Sequence, residues 1–455
     1  MSFFLTTFFL VLLSATANNV SCSTKHVEMV GTAREGLLRA MSWAQGLETL
    51  NGPDRNSASA NQALRDCVKL YKEAEPVGAA SASHTTCLDG LGEKGVLHEA
   101  HWAQNLTRVI REALAVHGDE NSQRRKREVR EGVGLNNGGL LASWDATTSE
   151  ADFVVAQDGS GDYKTINEAV DALAQLRQNR SERVVVYVKS GVYNENVEIG
   201  GDLKNIMFVG DGIDGTIVVS NKNVQDGATT LNSATFIQFC QPRRLTIFTH
   251  DLHTQFHYSL FLQIQFLTRC VSGDGFWARD MTFENMAGPE KHQAVALRVS
   301  SDLSVFYRCG FKGYQDTLFV HSLRQFYREC QIYGTVDFIF GDAAVILQQC
   351  DIFVRRPMDH QSNVITAQGR DDPNENTGIS ILNSRVMPSF EFRDVKGNFK
   401  SYLGRPWKKY SRTVFLKTDL DGLVDERGWK EWNGDFALST LYYAEYMNTR
   451  SRGLY

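Results

Sequence analysis

The chain has 455 residues, 42% of them hydrophobic and 22% charged, with a formal net charge of −5. That length can bury a sizeable core and hold more than one domain. A mild negative charge with no dominant basic face argues against nucleic-acid binding. Eight cysteines, at 22, 67, 87, 240, 270, 309, 330 and 350, suit an oxidising compartment.

The first residues, "MSFFLTTFFLVLLSATANN", are an apolar run ending in the small-x-small pattern Ala15-Thr16-Ala17. This reads as a signal peptide over 1–17 of a secreted protein. It falls short of the ~20 apolar residues a membrane span needs, so no stable membrane association is expected. The sequons at Asn19, Asn105 and Asn179 agree with that route and with a glycoprotein. Residues 23–116 read as a small helical bundle, with Leu64, Cys67, Leu70 and Tyr71 on one helical face. Residues 117–150 are polar and Gly-rich and carry the basic run Arg124-Arg125-Lys126-Arg127. That run is either a solvated linker or a protease-processing site between two domains.

Beyond about Asp152 short β-rich runs recur, among them "RVVVYV" (183–188), "TIVVS" (216–220) and "AVILQQ" (344–349). Cys309-Gly-Phe311, Cys330-Gln-Ile332 and Cys350-Asp-Ile352 repeat a Cys-x-apolar unit at steps of 21 and 20 residues. Met281-Thr-Phe283 and Ser384-Arg-Val386 continue it with longer steps. One repeating phase of short strands predicts a parallel β-helix, one coil per repeat, whereas a β-sandwich would show hairpin turns. The expected fold is therefore an all-β solenoid preceded by a small all-α region.

The stretch "GTVDFIFG" (334–341) places one carboxylate, Asp337, inside an apolar run. A buried carboxylate is costly unless neutralised, paired or at work. Asp316 lies 21 residues earlier, one repeat away, so the two should face each other across adjacent coils, ~4.8 Å apart. Gln315, and Gln293 one further repeat back, fall beside them. Two carboxyls this close share their titration: one stays ionised as a nucleophile, the other keeps a proton as general acid. The glutamine amides can donate to an oxyanion. The implied chemistry is acyl transfer on an ester, with polar stacking inside the solenoid as the plain alternative. Arg405, in "YLGRPW" (402–407), can clamp a carboxylate in a bidentate fork, and Trp407 can lie against a sugar ring.

Long stretches resemble the plant pectin methylesterases (pectinesterases). They include "ADFVVAQDGSGDYKTI" (151–166), "HQAVALRV" (292–299), "GYQDTLFVHSLRQFYRECQIYGTVDFIFGDAAVILQQCDI" (313–352), "YLGRPWKKYSRTV" (402–414) and "GWKEWNG" (428–434). The resemblance implies a right-handed parallel β-helix over 151–455 that hydrolyses the C6 methyl esters of homogalacturonan in the cell wall. It makes Asp337 the nucleophile and Asp316 the acid and base. Gln315 and Gln293 become the oxyanion and substrate contacts, with Arg405, Trp407 and Thr230 lining the groove. It implies no metal, no organic cofactor and a monomer. "ALRDCVKLYKEAE" (63–75) and "TTCLDG" (85–90) resemble the inhibitor-type pro-region of such enzymes, so the helical part should act on the enzyme in cis.

Three features depart from the family. The pro-region is short. Residues 237–269 form a Phe-, His- and Gln-rich insert without repeat phase, which is an unspliced intron or a real loop, and its His250, His253 and His257 spacing resembles a metal site only superficially. The C-terminus stops early, as in a truncated solenoid. Rival readings are therefore an inactive pectin-binding β-helix, or a β-helix hydrolase or lyase that cuts the pectin chain. Stacking of Cys309 and Cys330 one coil apart predicts a disulfide between them, with Cys350 free or stacked above. Cys67–Cys87 is a second candidate pair.

Overall fold

The computed structural model describes residues 32–47, 55–73, 77–94, 103–114, 144–176, 182–239 and 275–450, apart from a few isolated positions within these ranges. The expectations for the signal peptide, the sequons, Cys22, Cys240, Cys270, the Arg124–Arg127 run and most of the 237–269 insert, with its histidines, fall outside the described residues. Residues 237–239 are described and complete the strand Phe236–Phe239.

The described residues between 153 and 446 form a right-handed parallel β-helix of three sheets, one of ten strands and two of seven. Seven coils give one strand to each sheet, and the ten-stranded sheet carries three further strands at its ends. One coil runs through Ser304–Tyr307, Gly310–Lys312 and Leu318–Val320, and the next through Arg324–Arg328, Gln331–Gly334 and Ile339–Gly341. All three pairings keep the same step: Ser304 lies against Gln325, Gly310 against Gln331 and Leu318 against Ile339. The Cys-x-apolar repeat marks a corner. Asp280, Arg308, Glu329, Gln349 and Asn383, each just before a repeat unit, all have φ between 48° and 55°. That left-handed residue swings the chain from the ten-stranded sheet into the next.

Inward-facing rings fill the solenoid. Phe283 stacks on Phe311 with centroids 5.8 Å apart, and Phe306 on Tyr327 at 4.8 Å, so each coil rests its aromatic on the one below. Burying a side chain of this size stabilises by ~1.5–3 kcal/mol, and the repeat multiplies the gain coil by coil. The helix Ile166–Leu176 buries Ile166, Ala169 and Leu173 in this core. It starts with a capping box: Glu168 Oε2 accepts from the backbone N–H of Thr165 at 3.1 Å, and Thr165 Oγ1 accepts from that of Glu168 at 3.2 Å.

The expected Cys309–Cys330 bridge is not present. Cys309, Cys330 and Cys350 are buried free thiols. They stack in register, but ladder neighbours lie ~4.8 Å apart, whereas a disulfide draws its Cβ atoms to about 3.8 Å. Each thiol instead donates to its own coil, as Cys330 does to the Arg328 carbonyl at 3.3 Å. The bridge that forms is Cys67–Cys87, with Cα atoms 4.7 Å apart. It ties the helix Arg55–Glu73 to the helix Val77–Glu93.

The helices bury Leu64, Leu70 and Tyr71 together with Leu37, Leu106 and Ile110. The same cluster continues into Leu231, Ile237, Val295, Phe319, Phe340 and Ala367 of the solenoid. Phe319, Phe340 and Ala367 alternate with inward residues of the sheet that holds Leu318–Val320 and Ile339–Gly341, so they lie on its outer face. The helical region therefore lies across this one face.

Candidate active site

Asp316 and Asp337 each sit two residues before paired strands, Leu318–Val320 and Ile339–Gly341. Register thus brings the two aspartates to the same position on neighbouring coils. The Asp316 N–H donates to the Val336 carbonyl at 3.0 Å. Both residues are left-handed, with φ of 63° and 51°. Aspartate tolerates that conformation better than most residues, and it makes a corner where each coil enters the covered sheet. Both are nearly inaccessible, at 8% and 6% exposure.

Arg405 follows the strand Ser401–Gly404, and its N–H is anchored on the Thr366 carbonyl at 3.0 Å. Its guanidinium grips Asp337 in a two-toothed fork, Nε to Oδ1 at 2.8 Å and a terminal nitrogen to Oδ2 at 2.5 Å. The Trp432 ring backs it at 4.3 Å. Burial raises the pKa of both aspartates. Asp316 is pushed well above the ordinary carboxylate range, first by burial and then by the charges of Asp337 and Glu93. The hydrogen bonds and charge of Arg405 oppose the rise at Asp337. Arg405 thus favours the ionised form of Asp337, and the proton the pair shares is drawn towards Asp316.

Gln315, next to Asp316 in the chain, and Gln293 are half-buried. Their backbones are fixed: the Gln315 carbonyl accepts from Ala294 at 3.2 Å, and that of Gln293 from Val224 at 3.1 Å. The step in this part of the sheet is 21, because Leu297 pairs with Leu318. Gln293 is thus diagonal to Gln315 and not directly beneath it. Neither side-chain amide is engaged by another described residue, so both remain available to a ligand.

Trp407 packs edge-on against Phe319 and Phe340, with centroids 6.4 and 5.9 Å away. Gly369 makes room for it, since a Cβ there would come within 2.8 Å of the indole. The Lys408 ammonium lies 5.2 Å above the Trp407 ring. Two neighbours had no signal in the repeat phase: Trp432, and Lys430, whose charge acts on both Arg405 and Asp337. Their only mark in the sequence is the clustering of tryptophan and lysine in "GWKEWNG" (428–434).

The helical region places carboxylates along the same face. Thr230 Oγ1 donates to Glu93 at 3.1 Å, and Lys408 Nζ to Asp89 at 2.7 Å. Asp66 accepts from Thr229 and Asn232. Burial raises the pKa of all three acids. Arg111 reaches Asp371 at 3.1 Å, and Thr86 meets His321 Nε2 at 3.1 Å.

A buried aspartate pair, polarised by one bidentate arginine and flanked by free amides, sits on the outer face of a parallel β-helix. Among known proteins, the pectinesterase family model matches residues 152–247 and 245–453. The chain belongs to the pectinesterase family. It is 52% identical over 434 residues to a probable pectinesterase/pectinesterase inhibitor of Arabidopsis thaliana, covering 85% of this chain and 77% of that one. It is 55% identical to pectinesterase 2 of Citrus sinensis over 303 residues, 67% of this chain and 52% of that one. The chain thus spans about half the length of this second relative. The solved carrot pectin methylesterase is 49% identical, with a TM-score of 0.59, over 68% of this chain and 86% of that structure. Pectinesterases are esterases. Among the described residues no cluster of three or more His, Cys, Asp or Glu could hold a metal ion, and no helix is long and apolar enough to cross a membrane.

Proposed function

We propose that this chain hydrolyses the C6 methyl esters of homogalacturonan to pectate and methanol. Asp337 attacks the ester carbonyl, and the oxyanion that forms is held by the amides of Gln315 and Gln293. Asp316 gives its proton to the departing methoxide, which leaves as methanol. The acyl–Asp337 anhydride is then opened by water, whose proton Asp316 takes. Arg405 fixes the rotamer of Asp337 and keeps it ionised between turnovers. The observation that carries this reading is the Arg405 fork on Asp337 alone, beside an Asp316 that holds its proton. Thr230 and Trp407 line the groove.

The helical region, residues 23–116, acts as an inhibitor in cis. Its helices lie over the face that carries the pair, and Glu93 occupies Thr230 within electrostatic reach of Asp316. Residues 1–17 direct the chain to the secretory route and the cell wall, where plant pectinesterases act. The test is methanol release from methyl-esterified polygalacturonan by residues 151–455 and by the full chain. Release by the shorter protein, slower in the full chain, supports both parts. New reducing ends or unsaturated products without methanol would point instead to a chain-cutting hydrolase or lyase.

A further inference from the structure

The strand Ser401–Gly404 is the outermost of its seven-stranded sheet. Such an edge presents N–H and C=O groups that need partners. The segment 425–430 supplies them. Asp425 N–H donates to the Ser401 carbonyl at 2.8 Å, Leu403 N–H to that of Gly428 at 2.8 Å, and Lys430 N–H to that of Gly404 at 3.0 Å. Trp429 nails the segment to the solenoid core, with its ring centroid 4.4 Å from Tyr443 and 5.9 Å from Phe415. Tyr443 is fixed in turn, its hydroxyl 2.8 Å from Ser411 Oγ. This double anchorage carries Trp432, three residues on, to Arg405, whose guanidinium carbon lies 4.3 Å from the ring centre.

The fork on Asp337 uses only one edge of the guanidinium, Nε and one terminal nitrogen. The flat faces are left over. The Arg405 side chain is 21% exposed against 8% for that of Asp337, so water reaches the pair from the arginine's side. An indole against one face attracts the cation and keeps water from it. A drier fork is electrostatically stronger and better fixed in direction. The plain alternative is a ring that serves only as a sugar contact. The two roles differ in their effect on Asp337.

We propose that Trp432 is a positioning residue: its ring holds the Arg405 guanidinium in the plane that forks Asp337, and so acts on the attacking carboxylate through the arginine. This rests on the reading of Asp337 as the nucleophile of an esterase.

The test measures methanol release by the full chain across pH. Trp432→Leu should lower kcat about tenfold and change KM less than about twofold. Its acid limb should move to higher pH, because a loosened fork favours the ionised Asp337 less. The charged and titratable groups that act with Asp337 are Arg405, Lys430, Asp316 and Tyr443. The substitution removes none of them, so a moved limb reports the arginine. Trp432→Phe keeps an aromatic face and should recover most of the loss. Added to Arg405→Gln, Trp432→Leu should cost no more than about a further twofold, since the group it acts through is gone. Trp432→Met fills more of the ring's volume and serves if Trp432→Leu does not fold. A raised KM with the acid limb in place would make the ring a sugar contact and overturn the proposal. So would a tenfold loss that persists on top of Arg405→Gln. A second arm needs no catalysis: in urea unfolding of the full chain, the two substitutions should be coupled by about two- to fivefold in the unfolding constant. Coupling without methanol release from the native chain would sink the esterase reading alone. Methanol release with independent effects at 405 and 432 would sink the positioning role alone.

Discussion

Two buried acid pairs lie five residues apart on the same coil, one at Asp337 and the other at Asp342. Asp342 is 5% exposed, and burial, then the neighbouring Glu375, raises its pKa well above the ordinary range. It accepts from Thr377 at 2.5 Å and Gln368 at 3.1 Å. Arg370 stands nearby but aims its donors elsewhere, at the backbone carbonyls of Glu375 and Tyr410, 2.9 and 3.2 Å away. The proton of this pair is therefore drawn to Asp342, and Glu375 serves to hold the 369–377 loop, whose Asp371 and Asp372 N–H groups donate to it. Asp337 differs in one respect: Arg405 commits a bidentate fork to it. Burial and a close second acid are common to both pairs. The cation favours the charged form of the carboxylate it grips.

That contrast can be broken in graded steps. Asp337→Asn should cut methanol release at least about a thousandfold, with an unchanged circular dichroism spectrum and thermal midpoint within a few degrees. Arg405→Gln should cost about a hundredfold in kcat, the size of losing one preorganised charge contact, and Arg405→Lys somewhat less, since a point charge cannot fork.

The pH profile sharpens the same point. Asp337 must be ionised and Asp316 protonated, so activity should be bell-shaped, rising as Asp337 loses its proton and falling as Asp316 does. Removing Arg405 takes away what opposes the rise at Asp337, so the acid limb of Arg405→Gln should move to higher pH. In the full chain Glu93→Gln should move the alkaline limb to lower pH, because Glu93 helps to hold the proton on Asp316. An Arg405→Gln profile whose acid limb stays in place would show that the arginine does not set the charge of Asp337.

Asp342→Asn should do least. Its carboxyl is already neutral, so activity should stay within about threefold and stability within about 1 kcal/mol of native. The sign with pH is fixed: the folded state holds a proton at Asp342 that the unfolded chain gives up above the usual carboxylate pKa. Stability therefore falls as pH rises through that window. The substitution should flatten that fall, measured by urea unfolding across the pH range.

Much of this was open to a reader of the chain. The Cys-x-apolar phase marks coils because a solenoid repeats its inward apolar position, and one step of 21 residues carried Asp316 onto Asp337. The same stacking misled at the cysteines, since a shared phase points the Cys309 and Cys330 side chains parallel and keeps their Cβ atoms at ladder distance, where a bridge would draw them together. The helix Ile166–Leu176 was also missed, although "TINE" (165–168) spells its capping box.

Periodicity is a one-dimensional signal, so the sequence by itself determined whatever repeats: the coil, its apolar lining, the aspartate pair and the helical face around Cys67. Arg405, Lys430 and Trp432 reach Asp337 from coils and loops whose lengths break the period, and Asp66 and Glu93 reach the groove from a separate region. Those meetings depend on loop paths and on how two surfaces dock. Only the tertiary structure decided them, because no local propensity or spacing encodes an encounter between segments that share no phase.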